Sequence, residues 1–180
     1  GYQLTYSIAG LVRQPDLTCR VISGGFSQLG GMATYIRAEG ISRVVDATHP
    51  YATQISHNAM QAAKQCGIPY WRLQRPPWPK CDTDNWLEFP DWTQLLSALQ
   101  AYQTVFLSHG RLSAEHLEQL AAIRQRGQRF YLRTAIPPTI ALPSWLHAIT
   151  AIGPFTYQDE LSLFSRLGVD LLVSKNSGGE

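Results

Sequence analysis

Asp46, Thr48 and His49 stand almost side by side in the stretch Val44-Val45-Asp46-Ala47-Thr48-His49-Pro50-Tyr51, where an apolar run gives way to a carboxylate, a hydroxyl and an imidazole. An imidazole changes charge near neutral pH and can give or take a proton. A hydroxyl and a carboxylate orient a ligand by hydrogen bonds. If a helix starts just after them, its first amides and positive dipole end also attract anions such as phosphate. A simpler account is that Asp46 or Thr48 caps that helix and Pro50 starts it. Capping needs one of these side chains, however, and leaves His49 unexplained.

Other polar clusters share the same kind of position. Ser23-Gly24-Gly25-Phe26 follows a strand-like run, and glycines there let a backbone approach a nucleotide closely. No G-x-G-x-x-G is present, and a tight turn would use the same residues. Ser7 to Gly10 closes another such run, and Arg13 shortly beyond it could hold the 2′-phosphate that separates NADP from NAD. Ser108-His109-Gly110-Arg111 and Lys175-Asn176-Ser177-Gly178-Gly179 each set a cation and a glycine after a strand, with turn chemistry as the alternative. His57, His116 and His147 have no partners at ligand or triad spacing and read as surface or core histidines. With no nucleophile elbow, zinc pair or Walker lysine, hydrolase and kinase chemistry lose support.

The elements that must carry these clusters alternate. Strands are expected at Gln3 to Ile8, Cys19 to Ser23, Val44-Val45, Tyr70 to Leu73, Thr104 to Leu107, Phe130 to Arg133, Ala148 to Ile152 and Asp170 to Ser174. Between them, apolar residues at helical spacing mark helices: Leu29, Met32, Ala33, Ile36; then Ile55, Ala59, Ala62, Ala63, Cys66; then Leu95, Leu96, Leu99; then Leu117, Leu120, Ala121; then Leu161, Phe164. Gly40, Gly67 and Gly168 are the stop signals, and Thr156 with Asp159 resembles a capping box for the last helix. Such alternation argues for an α/β protein with mainly parallel sheets in two Rossmann-like lobes. The proline-rich Arg75-Pro76-Pro77-Trp78-Pro79 continues neither element and reads as the linker. The lobes are therefore expected at 1–77 and 78–180.

At 180 residues the chain can bury a sizeable core, and no long uncharged apolar run suggests a membrane span. Three widely spaced cysteines, Cys19, Cys66 and Cys81, fit neither a disulfide framework nor a metal knuckle, so a reducing cytoplasm is the expected setting. Net charge is only +2, yet twelve of the 15 basic residues are arginine. Arginine's planar donor fork suits carboxylates and phosphates, which favours a ligand carrying several such groups. Gly1 leads straight into a strand pattern with no signal peptide, and the chain stops at a glycine turn with no helix to receive it. A fragment truncated at both ends is expected.

The run Val45-Asp46-Ala47-Thr48-His49-Pro50-Tyr51-Ala52, with Ile55-Ser56, Asn58-Ala59, Gly67-Ile68-Pro69 and Arg72-Leu73-Gln74-Arg75-Pro76-Pro77-Trp78, resembles the precorrin-6A reductase family of cobalamin biosynthesis. Further matches run in the family's order through Ser7-Ile8-Ala9-Gly10, Gly24-Gly25-Phe26, Gly153-Pro154-Phe155, Glu160 and Ser174-Lys175-Asn176-Ser177-Gly178-Gly179. The resemblance implies NADPH held between two α/β domains, and a hydride passed to a ring double bond of precorrin-6A or its cobalt-containing counterpart. Family members of this kind begin with a strand ending in a Gly-Gly-Thr turn, which this sequence lacks.

On this reading Ser7, Gly10, Arg13, Gly24, Gly25, Phe26, Asp46, Ala47 and Thr48 meet NADPH, and His49 with Thr48 lies at the reacting edge. Tyr51, Arg75, Trp78, Gly110, Arg111, Arg133, Phe155, Lys175 and Asn176 receive the tetrapyrrole, the arginines its acetate and propionate arms and the aromatic rings its flat face. No metal ligand, nucleic-acid partner or membrane is expected, and the chain is expected to be a monomer or weak oligomer. Two other classes stay open. One is a nucleotide- or corrinoid-binding module without turnover. The other is a single-strand nucleic-acid binder using Trp71, Arg72, Arg75 and Trp78, which the low net charge disfavours.

Overall fold

The structure is a computed structural model, and it describes residues 2–9 and 16–178. The chain divides into two compact units, Gly1–Trp78 with Asn176–Glu180, and Pro79–Lys175. Every strand pairing among the described residues is parallel, as strands joined through helices require.

In the first unit β1 (Thr5–Ile8) pairs with β2 (Arg20–Ser23) in the register Ser7 to Ile22. A short 3-10 turn, Phe26–Leu29, leads into α1 (Met32–Ala38). Leu29 thus sits in a turn and not in the expected helix, because Gly30 and Gly31 both adopt positive φ and break the run. A second pair joins β3 (Val44–Asp46) to β4 (Tyr70–Arg72), with Asp46 opposite Arg72. Between them runs α2 (Thr53–Cys66), whose buried Ser56, Ala59, Ala62 and Ala63 form one stripe of small side chains. Small residues let α1 come close, and the Cys66 thiol reaches the Ala33 carbonyl at 3.5 Å. Gly67 closes α2 in the left-handed conformation, its N–H returning to the Ala63 and Lys64 carbonyls.

The second unit holds a four-stranded sheet in the order β7-β6-β5-β8: Leu146–Thr150, Arg129–Thr134, Thr104–Ser108 and Leu171–Ser174. Strand β7 lies two residues earlier than the sequence pattern suggests, since Leu146 is the residue that enters the core. Central β5 is apolar and buried on both faces, as a strand covered by helices must be. One face packs Val105, Leu107, Phe130 and Leu132 against α3 (Trp92–Leu99) and α4 (Ala114–Ile123) through Leu96, Leu99 and Leu120. On the other, Phe106 meets Phe164 of α5 (Tyr157–Leu167) edge to face at 4.9 Å.

Caps fix where these helices begin. Asp91 accepts from the Gln94 amide at 2.9 Å, and Thr156 from the Asp159 amide at 3.2 Å. Ser113 and His116 form a reciprocal capping box, His116 filling the place that Glu or Gln usually takes. Buried Gln128 donates to the Leu99 and Tyr102 carbonyls, both at 2.7 Å, tying α3's end to β6. With β6 on one side of β5 and β8 on the other, the sheet grows both ways from β5. Open parallel sheets bind ligands beyond the carboxyl ends of strands at such a place.

Candidate functional site

Asp46 ends β3 with its side chain 1% exposed. One carboxylate oxygen accepts the Thr48 amide at 2.9 Å and the Thr48 hydroxyl at 2.7 Å, and the other accepts the Tyr70 hydroxyl at 2.7 Å. Thr48 in turn lies 3.1 Å from the Ser56 hydroxyl on α2. Burial alone would raise the Asp46 pKa, but hydrogen bonds from Ser56, Tyr70 and Thr48 outweigh it and hold the carboxyl well below the usual range. Tyr70 is pushed the other way, by burial first and then by its bond to the Asp46 carboxylate. Asp46 is thus an ionised anchor that locks the strand-to-helix turn from inside.

The turn does not cap α2. That helix starts at Thr53 with Ala52 at the N-cap and no side-chain cap bond, so the simpler account of Asp46 or Thr48 as cap and Pro50 as first helical residue fails. Thr48 is held by Asp46 instead, and Pro50 belongs to a separate turn closed by the Ala52 amide on the His49 carbonyl at 2.8 Å. Arg72, from β4, clamps this second turn through the Pro50 carbonyl at 3.2 Å. His49 is exposed at the outer end, its Nδ1 accepting the Tyr51 amide at 3.3 Å. Ala47 is exposed beside it.

Tyr51, Trp78 and Asn176 come together although far apart in sequence. The Asn176 side-chain oxygen accepts the Trp78 amide at 2.8 Å, and its carbonyl accepts the Tyr51 hydroxyl at 3.5 Å. Gly178, at φ +63°, places its Cα so near the Pro76 carbonyl that any side chain would collide with it. These contacts dock the tail on the proline-rich segment beside exposed Arg75.

At the carboxyl end of the first strand pair, Ser7 neighbours Ile22, and β2 runs into Ser23-Gly24-Gly25-Phe26. Gly24 has φ +92° with open space where a Cβ would point, so a ligand can approach the main chain there. The turn holds hydroxyls and amides and no carboxylate, while the nearby Arg20 is paired with Glu39 at 2.5 Å. This donor set fits a phosphate-bearing cofactor. Phe26 faces inward, 5.6 Å from the Tyr35 ring. Gly10 and Arg13 lie outside the described residues.

In the second unit the clusters after β5 and β8 share one edge, since Ser108 pairs with Ser174. Half-buried His109 follows β5, its ring 5.3 Å from Trp92 and 6.0 Å from His116. Burial first, then electrostatic interaction with Lys175 and His116, lowers its pKa to about 4, so the imidazole is neutral at physiological pH. Gly110 continues this edge and Arg111 is exposed beyond it. Arg133 and Phe155, assigned separately to substrate, stack with the guanidinium 4.0 Å from the ring centre. Its fork, however, is taken by Glu160 in a two-pronged pair at 2.5 and 2.8 Å.

Sequence reasoning gives no site role to Ser56, Tyr70 or Thr134, and names Arg72 only for a nucleic-acid strip and His109 only within the turn after β5. Ser56 and Arg72 stand in the quoted family motif and Tyr70 only in an expected strand, and the fold is what brings all three to one turn. Among the described residues no group of three or more His, Cys, Asp or Glu side chains is placed to hold a metal, and no helix is long and apolar enough to cross a membrane.

Residues 1–180 match the family model described as precorrin-6x reductase CbiJ/CobK. A precorrin-6A reductase of Rhodococcus erythropolis is 36% identical across 99% of this chain and 71% of its own length. One of Rhodobacter capsulatus is 36% identical across 99% and 70%. A cobalt-precorrin-6A reductase of Priestia megaterium is 28% identical across 82% of this chain and 60% of its own. The solved structure of a CobK precorrin-6A reductase superposes with a TM-score of 0.81 at 36% identity, covering 97% of this chain and 69% of that one. The chain is a member of the precorrin-6x reductase family.

Proposed function

We propose that this chain is an NADPH-dependent oxidoreductase that reduces a ring double bond of the precorrin-6A macrocycle in cobalamin biosynthesis, in the cytoplasm. The observation that carries the reading is 36% identity to precorrin-6A reductases along nearly the whole chain. The lower 28% identity to a cobalt-precorrin-6A reductase favours the metal-free substrate. Bound NADPH would supply the hydride, so the protein's task is alignment, exclusion of water and stabilisation of charge.

Ser7, Gly24 and Gly25 are assigned to the cofactor phosphates, through hydroxyls and open main chain. The turn anchored by Asp46 presents His49 and Tyr51 to the reacting edge. Because Asp46 and the Thr48 hydroxyl are engaged with each other, their part is to hold this turn rigid, and His49 is the polar neighbour it brings to the reacting edge. Arg75 and Arg111, both exposed, are assigned to acetate and propionate arms, with Tyr51, Trp78 and Phe155 against the ring face. Arg133 supports Phe155 through its stacking, and Lys175 adds positive charge after β8.

The test is NADPH oxidation by the purified chain in the presence of precorrin-6A, followed by loss of nicotinamide absorbance. Oxidation that requires the macrocycle supports the reading, and macrocycle binding without oxidation replaces it with the non-catalytic module. A His49→Ala variant turning over at the wild-type rate would remove any chemical part for His49.

A further inference from the structure

Beyond β6 the segment 135–145 folds back over the carboxyl edge of the second unit and encloses a cavity of about 30 Å³. Its walls are largely apolar, with Ile136, Pro137, Ile140 and Leu142 among them. Three polar side chains also line it: Arg111, which follows β5, Thr134, the last residue of β6, and Thr139 of the segment itself. Thr134 is only 6% exposed, and its hydroxyl oxygen is buried without a hydrogen-bond partner. A buried hydroxyl left unpaired is costly, and such groups are rare enough to call for a reason.

We infer that this cavity takes the carboxylate head of one acetate or propionate arm of the substrate, with Thr134 donating a hydrogen bond to it and Arg111 supplying the charge. The inference rests on the proposed function for the identity of the macrocycle, and adds the subsite and its residues. Size decides the ligand part. The volume is two to three times what one water needs, which suits a carboxylate and is far too small for a tetrapyrrole ring or a nicotinamide. Chemistry decides the rest: the apolar wall suits the methylene stem of a side arm, the guanidinium suits an anion, and the orphaned hydroxyl gains the acceptor it lacks. A dinucleotide phosphate shares that anionic chemistry, and the experiment separates the two sources.

Thr134→Val keeps the shape and removes the hydroxyl. Since that hydroxyl is unpaired in the free protein, the variant is expected to melt no lower than wild type. Its KM for precorrin-6A should rise about tenfold, the scale of one hydrogen bond to a charged acceptor, while its KM for NADPH stays put. A melting temperature several degrees lower, an unchanged KM for precorrin-6A, or a shift in the NADPH KM instead would overturn the inference. Propionate titrated alone, read by methyl NMR shifts of Ile140 and Leu142, keeps this test apart from the proposed function. Shifts in wild type that vanish in Thr134→Val support the subsite even if the chain reduces no macrocycle, and no shifts in wild type refute it.

Discussion

Replacing Asp46 with Asn should unlock the turn that carries His49. The carboxylate accepts three hydrogen bonds of 2.7–2.9 Å, two from Thr48 and one from Tyr70, with Ser56 contributing a fourth interaction. An amide of the same shape has one accepting oxygen, so it forfeits the Tyr70 bond or both Thr48 bonds, and its NH₂ then faces donors. With each hydrogen bond to a charged acceptor worth about 1.5–3 kcal/mol, the loss should be about 2–4 kcal/mol. For a chain of this size that lowers the melting temperature by about 5–15 °C at neutral pH. The pH dependence follows from the direction of the shift. A carboxyl held below its unfolded value stabilises the fold above that value, and this contribution fades as pH falls through the ordinary carboxylate range towards the folded one. The gap between wild type and Asp46→Asn, measured by calorimetry, should therefore be widest near pH 7 and narrow below about pH 4. A variant melting within a degree of wild type at neutral pH, or a gap that stays constant down to pH 3, would refute the anchoring role.

His109 should titrate in NMR with a midpoint near 4, because its ring is buried among Trp92 and His116 with Lys175 adding repulsion. A folded value below the unfolded one means that protonation costs stability as pH falls from about 6.5 towards 4, so His109→Gln should flatten the melting curve over that window. An unperturbed midpoint would contradict the burial. Glu160→Gln should cost about 1–3 kcal/mol by leaving the Arg133 guanidinium, its side chain 10% exposed, without its paired carboxylate. Equal stability by urea titration would show that the pair carries nothing.

Much of the architecture is legible in the order of residues because parallel α/β chains write each element in its own period. Thr104–Leu107 reads as a strand, and the small residues of α2 recur at helical spacing, so both are found where the pattern places them. Boundaries slip where one side chain outranks the pattern. Leu146 draws β7 two residues forward by entering the core, and paired positive-φ glycines cut Leu29 from α1.

The candidate site is less legible, for a reason of geometry. Asp46 looks like a group offered to a ligand until Tyr70, 24 residues on, is brought beside it by the β3–β4 pairing. Arg133 reads as a free cation until Glu160 closes on it from α5. Thr134 falls just beyond the strand expected at Phe130 to Arg133, and only its burial without a partner singles it out.

The measurement that bears most directly on the whole account uses NADPH carrying deuterium at both hydrogens of nicotinamide C4. It is incubated with the purified chain and precorrin-6A, and the product macrocycle is weighed by mass spectrometry. The account predicts a product with one deuterium from the cofactor and one hydrogen from solvent, formed with matching loss of NADPH. A macrocycle that binds yet returns unlabelled and unreduced, with the chain folded and the cofactor intact, would contradict it.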